Sequence, residues 1–130
     1  KLHGPMHPNI AANLNNLAEI YRRHKNYTEA ERLFKHSLAI SESVEGKQHP
    51  GVGAVLNNLA LMYHLEDRYG DTEPLYNCSL TIREKSFEPN HPDVAQSLEN
   101  YVDLMIKTGR GDQAKAMETR AKAMRAANKK

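Results

Sequence analysis

Seven histidines are the most obvious candidates for chemistry in this chain of 130 residues. The imidazole ring binds metal ions and transfers protons near neutral pH. His7, His49 and His91 each precede a proline and lie 42 positions apart, which indicates a repeated unit. Equivalent positions in stacked helical units are on the order of 10 Å apart, whereas the ligands of one ion lie about 2 Å from it. We therefore expect these three histidines to cap helices or pack turns and not to share a metal ion. The remaining histidines form no i, i+4 pair among themselves (His3, His24, His36, His64).

Other catalytic patterns are missing from the sequence. It contains no serine nucleophile motif and no phosphate-binding glycine loop. The Gly109-Arg110-Gly111 segment is interpreted as a turn between helices, because no strand precedes it. Cys78 is the single cysteine, which excludes an internal disulfide and a cysteine-based metal cluster and fits a reducing, cytoplasmic location. We interpret Cys78 as a buried structural thiol rather than a reactive one, and we expect neither enzymatic activity nor a cofactor.

The 42-residue spacing extends along the whole chain. The same offset aligns leucines, asparagines and tyrosines (Leu14, Leu56 and Leu98; Asn16, Asn58 and Asn100; Tyr21 and Tyr63; Tyr27 and Tyr69). Three copies of one unit are therefore expected within a single domain over residues 1–130, with limits near 7–48, 49–90 and 91–130. Residues 1–6 are interpreted as the tail of a preceding spacer, and the chain as a piece from the C-terminal end of a longer array.

Each copy is expected to contain two helices and no strand. In the first copy, apolar residues recur at the i, i+3, i+4, i+7 spacing of one helical face (Leu14, Leu17, Ala18, Tyr21). The first helix should begin at Pro8 and end near His24, and the second should extend from about Tyr27 to Val44. Pro74 is placed in the first turn of the corresponding helix of the second copy, where proline is tolerated. Two such helices cannot bury both apolar faces alone, so the units must stack and the fold class is all-α.

The unit resembles the tetratricopeptide repeat. The resemblance is carried by a small residue on the first helix, a tyrosine one turn later and a small residue that opens the second helix (Ala18 and Ala60; Tyr21 and Tyr63; Ala30 and Ala114). The 42-residue length and the Leu-Asn-Asn-Leu-Ala segments at Leu14–Ala18 and Leu56–Ala60 are similar to the repeats of kinesin light chains. The resemblance covers nearly the whole chain. It implies a right-handed α-α superhelix, or solenoid, of three helix pairs whose first helices line a concave groove for extended peptides.

The last helix departs from the pattern. Glu118 stands where the earlier copies have an aromatic residue, and Lys122 stands where they have leucine. These two positions should face a following unit, and polar side chains there predict that nothing packs on them. We therefore expect this helix to act as a cap.

The side of the first helices that lies opposite their apolar face is the candidate binding surface. The resemblance supplies its orientation toward the groove. Asparagine recurs at positions 16, 58 and 100, although it is less favourable in a helix than alanine by up to about 0.7 kcal/mol. Its amide could bind the backbone of an extended peptide, or it could tie down a neighbouring helix. Both interpretations are open. Peptide binding predicts that Asn58→Ala weakens partner binding without lowering stability, and a clear loss of stability in this variant would assign the asparagines to the scaffold. The candidate groove residues are Asn15, Asn16, Glu19, Arg22, Arg23, Asn57, Asn58, Leu61, His64, Leu65, Glu99, Asn100, Asp103 and Lys107.

The leading functional hypothesis is a non-catalytic adaptor module that binds a peptide or protein segment in this groove. The groove changes from Arg22 and Arg23 through leucines to Glu99 and Asp103, which predicts a partner with an acidic end, an apolar middle and a basic end. A groove that clamps the C-terminal carboxylate of chaperone tails would have lysine where this chain has Asn15, Asn57 and Glu99. The alternative hypothesis is a structural capping end of a longer solenoid that mediates self-association.

Other classes of partner are not expected. The net charge is +2, which is too small to indicate nucleic-acid binding by itself. Basic residues concentrate after Ile106, where they suit the dipole of a helix C-terminus. Binding of nucleic acid by this segment would predict an affinity that falls steeply with salt. No apolar run approaches the ~18 residues of a membrane span, and no small-molecule substrate is expected.

Overall fold

The computed structural model describes residues 8–128, and within this range the chain forms six α-helices and no strand. The helices are α1 (Pro8–Arg23), α2 (Tyr27–Glu45), α3 (Pro50–Leu65), α4 (Tyr69–Ser86), α5 (Pro92–Lys107) and α6 (Gly111–Ala127). The predicted all-α fold is confirmed, and the predicted ends of α1 and α2 are within one residue of the observed ends. None of the six helices is both long and apolar enough to span a bilayer.

Histidine caps begin two of the helices. The Gly51 N–H donates to His49 Nδ1 at 2.9 Å, and the Asp93 N–H donates to His91 Nδ1 at 3.0 Å. In each case the next residue is a proline at the first helical position, where a missing N–H leaves no hydrogen bond unmade. The expected capping role is therefore seen for His49 and His91. His7, the third residue of this set, lies outside the described residues.

The turn within each helix pair has the same backbone conformation in all three copies. Lys25, Asp67 and Gly109 have positive φ angles of 63°, 62° and 80°. Only the last is a glycine, so the first two copies place ordinary side chains in the left-handed region. The next residue then donates its N–H to a carbonyl near the end of the first helix, as Arg68 does to Tyr63 at 2.8 Å. These turns bring the two helices of each pair back to back.

The buried core forms in two places: where the two helices of a pair contact each other, and where successive pairs contact each other. Ala18, Ala60 and Ala30 are completely buried where the helices cross. Ser37 Oγ donates to the Ala11 carbonyl at 2.7 Å, and the equivalent Ser79 Oγ donates to the Gly53 carbonyl at the same distance. Between pairs, α2 packs on α3 and α4 packs on α5. Because each pair contacts only its neighbours, the molecule is a helical solenoid.

Leu17 was expected in the core, and this expectation is wrong. Leu17 is 42% exposed, whereas the equivalent Leu59 is 3% exposed because it packs against α2 in one apolar cluster. Ile20 and Met62 show the same contrast. Within the described residues, nothing covers this side of α1. The periodicity identified the apolar positions correctly. Whether an apolar side chain of α1 is buried, however, depends on whether another helix packs against that side of α1.

Two further expectations about α4 are also wrong. Cys78 is exposed rather than buried, and it lines an open cavity together with Val52 and Leu56 of α3. Pro74 is the sixth residue of α4 and not part of its first turn, since the helix begins at Tyr69. A proline at this position has no N–H to donate to the Gly70 carbonyl, and Gly70 is exposed, so water can satisfy that carbonyl.

Candidate peptide-binding surface

The exposed side chains of α1, α3 and α5 form one continuous surface, which we call the first-helix face. α3 lies between α1 and α5 and contacts both. Exposed or half-exposed residues recur on the three helices at matching positions, which places four rows of side chains across the surface. The first-helix face comprises Ala12, Asn16, Glu19 and Arg23 of α1, Ala54, Asn58, Leu61 and Leu65 of α3, and Gln96, Asn100, Asp103 and Lys107 of α5.

Asparagine side chains join the three helices of this face. Asn58 Nδ2 donates to Asn15 Oδ1 at 3.2 Å, and Asn100 Nδ2 donates to Asn57 Oδ1 at 3.1 Å. Asn57 is only 2% exposed, so its placement among the exposed groove residues is wrong. It lies beneath the surface because α5 covers it, and a single helical wheel could not show this. Asn15, Asn58 and Asn100 are half-buried, and Asn16 is exposed.

Several charges of the face are paired within the protein. Arg22 lies 2.6 Å from Glu19 on the same helix, and Arg125 of α6 lies 2.9 Å from Glu99. The hydrogen bond from Arg125 lowers the pKa of Glu99. Within residues 8–128, Arg23, Asp103 and Lys107 form no ion pair, and all three are exposed. The charge available to a partner is therefore concentrated in these three residues, at the edges of the face.

The middle of the face is apolar and neutral. Leu61 is half-buried and Leu65 is exposed, at successive turns of α3. His64 is half-buried, and its ring meets the edge of Tyr69 at 5.5 Å between centroids. Its Nδ1 has no hydrogen-bond partner among residues 8–128. Burial lowers the pKa of His64, partly offset by Asp103, so the ring is neutral at pH 7. Ile106, which was not among the candidate site residues, adds an exposed apolar side chain at the C-terminal end of α5.

Sequence analysis missed two polar clusters that fix one pair against the next. Glu31 of α2 accepts a hydrogen bond from Tyr63 Oη at 2.7 Å, and the guanidinium of Arg68 lies 4.3 Å from the centre of the Tyr63 ring. In the next pair, Glu73 accepts from Tyr101 Oη at 2.8 Å and lies 2.9 Å from Arg110. The signal was available, because the two glutamates and the two arginines are each 42 positions apart. These clusters join α2 to α3 and α4 to α5, and so fix the position of each helix pair against the next.

Three cavities border these helices. One of about 190 Å³ lies at the α5–α6 end of the face, lined by Glu99, Asp103 and Lys122 among others. One of about 230 Å³ lies between α1, α2 and the start of α3. The third, of about 360 Å³, lies between α2 and α4 away from the first-helix face, with Cys78 at its rim. Within residues 8–128, no three histidine, cysteine or carboxylate side chains are grouped to hold a metal ion.

The fold is similar to solved structures of kinesin-light-chain-like proteins. BtubC (BKLC) from P. vanneervenii is 26% identical, with a TM-score of 0.86 over 96% of this chain and 50% of that one. A Podosopora anserina protein assigned as a kinesin light chain, with nearly identical tetratricopeptide-like repeats, is 21% identical, with a TM-score of 0.76 over 98% of this chain and 60% of that one. A variant of that protein is 22% identical, with a TM-score of 0.78 over 99% and 61% of the two chains.

The chain thus spans half to about three-fifths of the length of these solved structures. Comparison with curated proteins gave no match. The family model for the tetratricopeptide repeat matches residues 9–71 and 52–127, which together include nearly all of the chain. Repeats of this type form non-catalytic scaffolds that mediate protein–protein interactions. The resemblance seen in the sequence is therefore confirmed, and the chain belongs to the tetratricopeptide repeat family.

Proposed function

We propose that this chain is an adaptor module that binds an extended segment of a partner protein on the first-helix face. The observation that carries the proposal is the row of amides across α1, α3 and α5. Asn16 is exposed and makes no side-chain hydrogen bond within residues 8–128. Asn58 and Asn100 use their amide nitrogens to bond to Asn15 and Asn57, and their own amide oxygens make no hydrogen bond within the same residues. An amide that keeps donors or acceptors free can bind the backbone of an extended chain.

The chemistry of the face favours a partner segment with an apolar middle. Leu61 and Leu65 occupy the central helix, and the unpaired charges lie on the outer helices, with Arg23 on α1 and Asp103 on α5. A segment that crosses from Arg23 on α1 to Asp103 on α5 would meet a positive charge first, then leucine, then a negative charge, with Lys107 one turn beyond Asp103. Asn15 and Asn57 are bonded to neighbouring helices, and no lysine stands in their place to clamp a terminal carboxylate.

A matched pair of charge substitutions tests this proposal. Leu65 on the face is 47% exposed, and Val44 near the end of α2 is 40% exposed, so each tolerates glutamate with little effect on folding. Segments selected from a peptide library for binding to the parent chain should lose affinity at least about tenfold with Leu65→Glu, because the carboxylate must be desolvated against the segment. Val44→Glu should bind as the parent does. Equal affinity for all three proteins would contradict the proposal.

A second proposal concerns the end of the array. Glu118 and Lys122 of α6 are exposed. Phe34 and Tyr76, the equivalents of Glu118, are completely or almost completely buried, and Leu38 and Leu80, the equivalents of Lys122, are half-buried and buried. Charged side chains at these positions favour a capping role for α6, which would leave the first-helix face as the surface that binds partners. The single cysteine supports our proposal of a cytoplasmic location.

A further inference from the structure

The junction between the second and third helix pairs contains a buried arginine. Arg83 of α4 is 5% exposed, and its Nη1 donates to the Ser97 hydroxyl at 2.9 Å and to the Asp93 carbonyl at 3.1 Å. A third acceptor, Gln96 Oε1, lies 3.3 Å away. Burial lowers the pKa of Arg83, but a guanidinium stays charged at neutral pH. This junction therefore accommodates one guanidinium group against the first turns of α5.

The junction between the first and second helix pairs contains no buried arginine among residues 8–128. The residue 42 positions before Arg83 is Ser41, and the positions that surround the guanidinium correspond to Gly51, Ala54 and Val55 of α3. A cavity of about 230 Å³ occupies this space. Its lining includes Ser41 and the repeat equivalents of the three residues that accept hydrogen bonds from Arg83, which are Gly51, Ala54 and Val55. The lining residues are Ala11, Ala12, Asn15, Ser37, Ser41, Glu45, Gly51, Ala54 and Val55.

The cavity has polar groups without partners. Ser41 is 4% exposed, and its hydroxyl, which lines the cavity, makes no hydrogen bond within residues 8–128. Solvent reaches this oxygen, so it is free to bond to a ligand that enters the cavity. Ser37 differs, because its hydroxyl already donates to the Ala11 carbonyl.

The carboxylate of Glu45 lines this cavity. Glu45 replaces Phe87 of the second copy, and its Oε1 lies 3.4 Å from His49 Nδ1. That nitrogen accepts the Gly51 N–H at 2.9 Å, so it carries a lone pair and has no proton to donate to Glu45. Within residues 8–128, the junction that lacks the built-in cation therefore has a carboxylate without a side-chain hydrogen-bond donor.

We propose that this cavity, defined as the Ser41 cavity, binds the side chain of an arginine from the partner segment. The inference rests on the proposed function, because Ala12 and Ala54 belong both to the cavity lining and to the first-helix face. An arginine is long enough to reach Glu45 and Ser41 from that face, and its planar donors match a carboxylate in a bidentate pair. The volume is below the roughly 300 Å³ at which pockets begin to hold drug-sized ligands, which fits a single side chain.

The test uses a capped peptide, acetyl-Ser-Gly-Arg-Gly-Ser-amide, and the same peptide with citrulline in place of arginine. Citrulline has nearly the same shape and no charge. Titration of the ¹⁵N-labelled chain should give saturable shifts of the amide signals of Ala12, Ser41 and Ala54. The citrulline peptide should bind at least about tenfold more weakly, because the charge-assisted pair with Glu45 is lost. Absence of saturable shifts, or equal binding of both peptides, would overturn the proposal.

Two variants, Ser41→Arg and Glu45→Gln, test whether the arginine side chain binds in the Ser41 cavity. Ser41→Arg should fill the space with the chain's own guanidinium, as Arg83 does, and abolish arginine binding. Ser43→Arg, at an exposed position two residues away on α2, is the matched control for added charge and should bind as the parent does. Glu45→Gln should weaken arginine binding and leave citrulline binding unchanged, which keeps the test valid if Ser41→Arg folds poorly. Unaltered arginine binding in Glu45→Gln would contradict the role of the carboxylate.

The same experiments separate this inference from the proposed function. If library-selected segments respond to Leu65→Glu but bind equally well with arginine or citrulline, the Ser41 cavity is not an arginine site and the adaptor proposal stands. If the arginine peptide saturates the cavity but no selected segment responds to Leu65→Glu, the cavity proposal stands and the first-helix face is not the partner site.

Discussion

At the residue scale, the asparagines show how far one sequence can assign a role. Their recurrence every 42 residues indicated a repeated function, and the sequence left peptide binding and helix joining as alternatives. The structure separates the individual residues. Asn57 is buried under α5, Asn58 is half-buried and bonded to Asn15, and Asn16 is exposed. A helical wheel describes one helix at a time, so it could not predict which asparagine a neighbouring helix covers.

Asn58→Ala should lower the free energy of unfolding. The substitution removes the hydrogen bond to Asn15, which is worth about 0.5–1.5 kcal/mol, and regains only part of that from the better helix propensity of alanine. Asn16→Ala is the control, because this exposed side chain makes no such bond, and its stability should stay level or rise by a few tenths of a kcal/mol. Urea denaturation of both variants measures the difference. Equal stabilities would show that the Asn15–Asn58 bond contributes nothing.

Glu73 should make stability depend on pH. The hydrogen bonds from Arg110 and Tyr101 lower the pKa of Glu73 below its ordinary value, so the unfolded chain binds the proton more tightly than the folded chain does. Stability from this cluster is then complete well above pH 4.5 and is lost as the pH falls through the lower folded pKa.

Glu73→Gln should therefore melt at a lower temperature than the parent at pH 7, and the difference should shrink as the pH is lowered toward 3. The exposed Glu88, replaced by glutamine, serves as the control. Melting curves at a series of pH values measure both. A difference between Glu73→Gln and the parent that is the same at every pH would contradict the role of the carboxylate.

At the scale of the helices, the sequence was sufficient to predict where helices begin and end, because the apolar spacing, the prolines and the polar turns agree with one another. The predicted limits of α1 and α2 differ from the observed limits by one residue. Predictions of burial failed where a side chain depends on the neighbouring pair, as for Leu17, or on the outer side of the solenoid, as for Cys78. The burial of Arg83 had no signal in the spacing, since its equivalents in the other copies are Ser41 and Arg125.

Ala60→Leu should destabilise the fold by about 1–3 kcal/mol, because Ala60 is completely buried where helices cross and leucine would overpack the site. Ala39→Leu, at an exposed position of α2, should change stability by no more than about 0.5 kcal/mol. Thermal and urea unfolding of the two variants provide the comparison. A leucine at position 60 that leaves both transitions unchanged would be incompatible with the close crossing.

At the scale of the whole molecule, the two ends of the solenoid differ. α1 exposes Leu17 and Ile20, whereas α6 exposes Glu118 and Lys122 at positions that are apolar in the earlier copies. Polar side chains at the α6 end oppose the stacking of another copy. The first-helix face lies between these ends, and the cavity of about 190 Å³ joins it to the α6 end, because Asp103 of the face and Glu118 and Lys122 of α6 all line that cavity.

Lys122→Leu should promote association of the chain. The leucine would restore the apolar side chain that Leu38 and Leu80 provide in the earlier copies, on a surface that no part of residues 8–128 covers. Light scattering over a range of protein concentrations should show a rising mean mass for this variant and a constant mass for Lys115→Leu if the effect is specific to position 122. A variant that stays as monomeric as the parent would contradict the capping role of α6.

The most direct test of partner binding on the first-helix face is a map of the contact itself. A library-selected segment is titrated into the ¹⁵N-labelled chain, and the amide signals that shift are assigned to residues. We predict that the largest shifts fall on α1, α3 and α5, near Asn16, Leu61 and Asp103, and leave the outer side of α4 around Cys78 unchanged. Shifts centred on the cavity between α2 and α4, with the first-helix face unaffected, would contradict this conclusion.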